Sequence, residues 1–275
     1  MQTTTTLDEL ANKARFIRTE TIRLIQIAKS GHYTSVFSAA EILAVLYYHT
    51  MKISKDPKWP DRDRLILSKG HVAVGVYPVL ADLGYFPKQW LDNYAQIGSP
   101  LGDHPDMTKV PGIDFSSGSL GHGLSIAVGM ALGLRLKKSA ARVFVLMGDG
   151  EMNEGQIWEA AQAAPQYRLG SIVGIVDRNA MEFDGYTEEV MGIEPLSDKW
   201  RSFGWQVHNC DGNSLPDLVR TFDGLPRNSD KPQMVVAKTI KGKGLSYMEN
   251  SRVWHLGHLS GSDAEMAIQE LNRSK

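Results

Sequence analysis

The sequence predicts an α/β fold, a parallel sheet with helices on both faces. The first observation is a pair of unbroken apolar runs, Val143-Phe144-Val145-Leu146-Met147 and Ile172-Val173-Gly174-Ile175-Val176. Continuous rather than alternating runs are what strands covered on both faces require. The second is the stretch between them, Gln156 to Tyr167, which has helical spacing. Strand, helix, strand in that order implies parallel pairing through a crossover.

The remaining elements follow in order. Leu7 to Ser30 carries Leu10, Ala14, Ile17, Ile22, Leu24 and Ile25 at helical spacing, with Gly31 placed to stop the helix. Ser38-Ala39-Ala40-Glu41 has the form of a capping box, which predicts a second helix from Ala39 to about Met51. Pro57, Trp59 and Pro60 mark a loop, and Leu65-Ile66-Leu67 reads as a short buried strand. Gly98 to Gly118 is a long Gly/Pro-rich connection, and long loops inside compact domains are usually functional. A helix from Leu124 to Leu136 comes next. Past the second apolar run, strands are expected at Gln206–Val207 and Met234–Ala237, with a helix at Leu215–Phe222 between them and a last helix from Asp263 to Leu271. Residues 1–275 read as one domain without internal repeats. In such sheets ligands gather at the carboxyl ends of the strands.

Composition narrows the function. Apolar residues make up 42% and charged residues 22%, ordinary for a globular protein, and the net charge of −1 gives no pull toward nucleic acid or membrane. The amino terminus lacks an apolar signal core, and no run reaches the ~20 apolar residues of a membrane span. A cytoplasmic protein is expected. The single cysteine, Cys210, fits a reducing compartment and reads as an inert, partly buried thiol at the end of a short strand.

The chemistry concentrates behind the first apolar run. Gly148-Asp149-Gly150 follows it directly, and Asn179 stands just past the second run, 30 residues after Asp149. Glycines let a backbone approach a diphosphate closely. Asp149 offers a hard carboxylate oxygen to a divalent cation, Asn179 an amide oxygen, and Met181 a backbone carbonyl. Diphosphate oxygens and water would complete an octahedral shell. A Gly-Asp-Gly turn alone is common. A strand before it, a helix after it and a second strand ending in Asn make a plain turn a poor account.

Gly148-Asp149-Gly150…Asn179 resembles the thiamine-diphosphate motif. GDGEMNEGQIWEAA and IVDRNAMEFDG are similar to the amino-terminal domain of transketolases, most of all those split over two chains. Five further landmarks fall in order: Gly31-His32, Ser68-Lys69-Gly70-His71, His104-Pro105, Gly118-Ser119-Leu120-Gly121, and Lys241-Gly242-Lys243-Gly244 followed by His255. The resemblance spans about Ala11 to Ala264. It implies the diphosphate-binding domain of the thiamine-diphosphate fold, with Mg²⁺ (or Ca²⁺) held by Asp149, Asn179 and Met181. The cofactor would be contacted by His71, Gly118, Ser119, Leu120, Gly148, Asp149, Gly150 and Asn179. His32, His71, His104 and His255 match active-site histidines, and Glu154 matches a glutamate near the cofactor and the subunit interface. Lys241 and Lys243 could face phosphate, but solvent is the expectation.

The implied reaction moves a two-carbon ketol unit from a ketose (phosphate) to an aldose acceptor. The aminopyrimidine wall, with its glutamate, belongs to a following domain that is expected here on a separate subunit, in an α2β2 heterotetramer. Three positions depart from the family pattern: Thr34 where glycine is frequent, His122 where glutamine is usual, and Asn213 where histidine is. Loss of the glycine would reshape the entrance. Competing readings are half of a split thiamine-diphosphate 2-oxo acid dehydrogenase or decarboxylase, a biosynthetic carboligase, a nucleotide-binding dehydrogenase and a non-catalytic regulatory subunit. No Gly-x-Gly-x-x-Gly follows a strand, which weighs against the dehydrogenase.

Overall fold

A computed structural model describes residues 5–273. Helix α1 (Leu7–Ala28) starts at a capping box. Thr6 Oγ1 accepts the Glu9 amide at 3.2 Å, and the Glu9 carboxylate accepts the Thr6 amide at 2.7 Å. The helix stops before Gly31 is reached, because Lys29 adopts the left-handed conformation (φ 64°) and its amide bonds Ile25. Gly31 has a different task. It pairs with Gly257 in an antiparallel bridge, and a Cβ there would lie 2.6 Å from Ile25 Cγ1.

Helix α2 (Tyr33–Val45) also begins earlier than the sequence predicts. Ser38 and Glu41 do not form a capping box. Ser38 Oγ donates to Asp177 and Glu41 takes a bidentate bond from Arg18, so both side chains are spent on tertiary partners inside a helix buried along its whole length. A π-turn, Leu46–Thr50, carries the chain on to Met51. Strand β1 (Arg64–Leu67) follows, then α3 (Ala73–Asp82), the long irregular segment, α4 (His122–Leu136), β2 (Val143–Gly148), α5 (Gly155–Gln166), β3 (Ile172–Arg178), α6 (Thr187–Val190), α7 (Leu196–Ser202), β4 (Gln206–Asp211), α8 (Leu215–Asp223), β5 (Gln233–Lys238) and α9 (Gly261–Arg273).

The strands form one parallel sheet in the order β1-β2-β3-β5-β4. Its two faces are packed separately. One meets α1, α2, α3, α8 and α9 through Phe144, Leu146, Val173, Ile175 and Val235. The other meets α4, α5 and α7 through Val143, Val145, Met147, Ile172 and Val176. Adjacent residues of one strand thus enter different cores, which is why the runs had to be apolar throughout. Cys210 is buried, and burial pushes its thiol up to about 12, a poor nucleophile. No helix of the described residues is long and apolar enough to cross a membrane.

Candidate active site

Parallel strands put all their carboxyl ends on one edge, and the chemistry-bearing residues collect there. Gly148 of β2 lies opposite Asp177 of β3, so Asp149 and Asn179, each just past its strand, become neighbours. Asp149 Oδ2 accepts the Ala180 amide at 2.6 Å and Arg178 Nη1 at 2.9 Å, while Oδ1 accepts the Gly150 amide at 2.9 Å. Ala180 holds a left-handed backbone (φ 66°), which turns the chain so that the Met181 amide reaches Asn179 Oδ1 at 3.1 Å. Gly150 has no room for a side chain, since a Cβ would lie 2.8 Å from Glu182 Cβ. Burial, with Asp177 nearby, pushes the Asp149 carboxyl up, and Arg178 opposes that. A bound cation would favour the ionised form in the same way. No group of three or more His, Cys, Asp or Glu converges on a metal position among the described residues. The expected ligand set of one carboxylate, one amide and one carbonyl is not of that kind.

Two buried carboxylates fix the surrounding loops. Asp177, fully buried, accepts Lys69 Nζ, Ser38 Oγ and Thr239 Oγ1, and Asn179 Nδ2 at 3.3 Å. Glu151 accepts Ser68 Oγ, the Gly121 amide at 2.8 Å and the Gly148 amide at 3.0 Å. It therefore clamps the end of β1, the Gly118–Gly121 loop and the end of β2 to each other. Gly121 sits at φ 87° and would meet Glu154 with any side chain. The sequence reading gave no role to Glu151 or Asp177. Their signal was a carboxylate directly behind Gly-Asp-Gly and one inside an otherwise apolar strand, where an unpaired charge is too costly to be incidental.

His32, His71 and His255 come together at this edge. Their ring centroids are 4.8, 5.5 and 5.9 Å apart pairwise. Burial drives all three pKa values down, His71 well below its ordinary value and His255 to about 3, with the other imidazoles and Lys241 adding to the effect. All three are therefore neutral near pH 7. Among the described residues, the buried Nδ1 atoms of His32 and His255 have no hydrogen-bond partner, so both can meet a ligand hydroxyl. His104 stands at the rim, half exposed, over Gly118 and 3.4 Å from Asp103. His258 is exposed and outside the group.

Ser119 and Gly118 are exposed and Leu120 half-buried. Glu154 is exposed at the amino end of α5, packed over Gly121. Lys241 corrects the expectation of solvent: it is 2% exposed, and burial beside Lys69 pushes its ammonium down to about 8. Lys69 is already paired with Asp177, so it is the buried Lys241 ammonium that suits an anion such as a diphosphate. Lys243 behaves as expected, half exposed and 3.4 Å from Glu249.

Of the three departures, Thr34 is fully buried, bonded to the Trp254 carbonyl at 3.2 Å and packed beside Gly242. Asn213 ties Glu41 (3.0 Å) and the Ser38 carbonyl to the Ile240 amide. His122 is exposed, with Nδ1 at 3.2 Å from the Ser119 and Leu120 carbonyls.

Known proteins resemble this chain along nearly its whole length. The family model described as transketolase, thiamine diphosphate binding domain, matches residues 8–272. An apulose-4-phosphate transketolase subunit from Phocaeicola vulgatus is 40% identical over 256 residues, 93% of this chain and 91% of that protein. The 6-deoxy-6-sulfo-D-fructose transketolase subunit SqwG of Clostridium sp. is 42% identical over 266 residues, 96% of this chain and 97% of that protein. Among solved structures, transketolase from Leishmania mexicana superposes with a TM-score of 0.89 at 28% identity. It covers 96% of this chain, which spans only 41% of that longer one.

Proposed function

The chain belongs to the transketolase family, and from that premise we propose that it is the amino-terminal subunit of a split thiamine-diphosphate enzyme that moves a two-carbon ketol unit from a ketose, or ketose phosphate, to an aldose acceptor. The observation that carries this reading is the trio of neutral imidazoles beside the Asp149–Asn179 strand ends. A ketose presents hydroxyls that need both donors and acceptors, and neutral imidazole offers one of each. A 2-oxo acid presents a carboxylate, which three neutral imidazoles serve poorly.

Thiamine diphosphate supplies the electron sink for cleavage next to a carbonyl. Asp149, Asn179 and the Met181 carbonyl would hold Mg²⁺ (or Ca²⁺) against its diphosphate. Lys241, His71, Gly118, Ser119, Leu120, Gly148 and Gly150 would line the rest of that wall. His32 and His255, through their unpartnered Nδ1 atoms, would orient the sugar and hold or return hydroxyl protons. His104 would close over the substrate from the long loop, and Glu154 would face the neighbouring subunit.

We assign the aminopyrimidine wall to a second chain, in an α2β2 heterotetramer. Support comes from relatives of matching length whose names call them subunits. It also comes from the apolar residues left exposed near this edge, Phe183, Tyr186, Val190 and Met191, and from the open space over Gly129 and Gly133 on α4. A buried, lone thiol fits a cytoplasmic setting.

The test is a titration with thiamine diphosphate and Mg²⁺, with and without the candidate partner, followed by assays with a ketose phosphate and with a 2-oxo acid. Metal-dependent binding, and ketol transfer by the mixture alone, are expected. Ketol transfer by the isolated chain would remove the partner, and turnover of the 2-oxo acid instead would overturn the substrate class.

A further inference from the structure

The opposite edge of the sheet holds a second concentration of charge that the proposed reaction does not use. Here lie the amino ends of β2, β3 and β5, together with the carboxyl end of α4, the α5–β3 turn and the loop ahead of β5. They enclose a cleft of about 670 Å³. Arg135, Lys138, Arg142, Arg168 and Arg227 line it, and among the described residues lining it Asp230 alone brings a carboxylate. That is five cations in one cleft of a chain whose net charge is −1.

Arg142 is the decisive residue. It is 4% exposed, and its Nε and Nη2 have no hydrogen-bond partner among the described residues. The neighbouring carboxylate, Asp63, is already committed to backbone: its Oδ1 accepts the Arg142 amide at 2.7 Å and its Oδ2 the Lys52 amide at 2.8 Å. Beneath the guanidinium lies the Phe144 ring, 5.1 Å away. Burial and the like charge of Arg227 push Arg142 down to about 10, so the site is short of negative charge. A buried guanidinium with idle donors costs stability unless something accepts from it. Arginine forks match phosphate oxygens bidentately, and a concave, cationic, low-dielectric wall concentrates anions.

We propose that this cleft is a binding site for a phosphate group, with Arg142 as its floor and Arg227 as its gate. The six residues of β2 at ~3.3 Å each put it roughly 20 Å from the strand ends that carry Asp149, so occupancy there is separate from cofactor binding. The shared chemistry is a phosphate dianion, free or as a small monoester, and the volume exceeds what the free ion fills.

Thermal unfolding and calorimetry of the full chain, with inorganic phosphate and with glycerol 3-phosphate against chloride at matched ionic strength, test this. Both probes should raise Tm. Arg142→Met should remove the response. Arg227→Ala, an exposed position that leaves packing intact, should weaken binding about tenfold. Lys241→Met, at the other edge, should keep the response, which separates this cleft from a phosphate seated among the cofactor residues. Tighter binding of the monoester identifies a phosphorylated metabolite as the natural ligand, and equal binding identifies the free ion. The proposal is overturned if neither probe shifts Tm, if Arg142→Met and Arg227→Ala respond like the unaltered chain, or if Lys241→Met abolishes the response. A silent phosphate titration combined with loss of partner binding in Arg227→Glu would make the cleft a protein-docking surface instead.

Discussion

Lys69 and Arg142 are both buried cations at the ends of the same sheet, and they live in opposite circumstances. At the carboxyl edge, Lys69 bonds Asp177 and the Ser35 carbonyl, and Asp177 in turn is saturated by Ser38, Thr239 and Asn179. At the amino edge, Arg142 keeps two donors without a partner among the described residues, beside other cations. The first arrangement is a finished frame that holds strand ends in place. The second is an unfinished one that a ligand would complete. Burial of charge therefore means different things at the two edges, and what decides is whether the partner lies within the chain.

Substitutions can break that contrast. Lys69→Met leaves Asp177 buried without its cation and should cost about 3–5 kcal/mol, measured as a lower urea midpoint. A loss below ~1 kcal/mol would mean the hydroxyls and amide alone satisfy Asp177. Lys241→Met removes a cation with no such frame around it. Thiamine diphosphate affinity should fall about tenfold, seen by calorimetry. In the unaltered chain, affinity should also decline as pH rises through about 8, where the free ammonium loses its proton, and the variant should lack that decline.

The histidines sharpen the contrast through pH. His255 titrates near 3 in the folded chain against an unfolded value of about 6.5, so the unfolded state binds the proton first. The stability this contributes is full above pH ~6.5 and is lost as pH falls toward 3, and His32 and His71 act in the same direction. Tm should drop across that window, and less steeply in His255→Gln. Equal slopes would mean that other groups set the acid limb. The smallest effect belongs to the other edge. Without phosphate, Arg142→Met should change stability by less than about 1 kcal/mol, or raise it, because it orphans no partner. A large loss would reveal that the guanidinium has an acceptor after all.

Much of the fold was legible because it is written locally. The runs Val143–Met147 and Ile172–Val176 needed only their own composition to declare strands covered on both faces, and Gly148, Asp149 and Asn179 needed only their place behind those runs. Errors fell where a side chain answered to something remote. Ser38 and Glu41 spell a capping box but bond Asp177 and Arg18, 139 and 23 residues away. Gly31 spells a helix stop, yet the chain turned at Lys29, and the glycine serves a bridge to Gly257. Lys241, in a Gly-rich stretch, looked solvated, and its burial came from elements far away in sequence.

By itself, then, the sequence determined the layered parallel architecture and the residue types set behind the strands, since hydrophobic periodicity and motif order are properties of short segments. Only the tertiary structure decided which buried charges are paired and which are waiting. Lys69 and Asp177 lie 108 residues apart, and Arg142 and Arg227 meet only because β2 and the loop before β5 end on the same edge. Pairing energies depend on distance and desolvation in space, and no run of neighbouring residues encodes either.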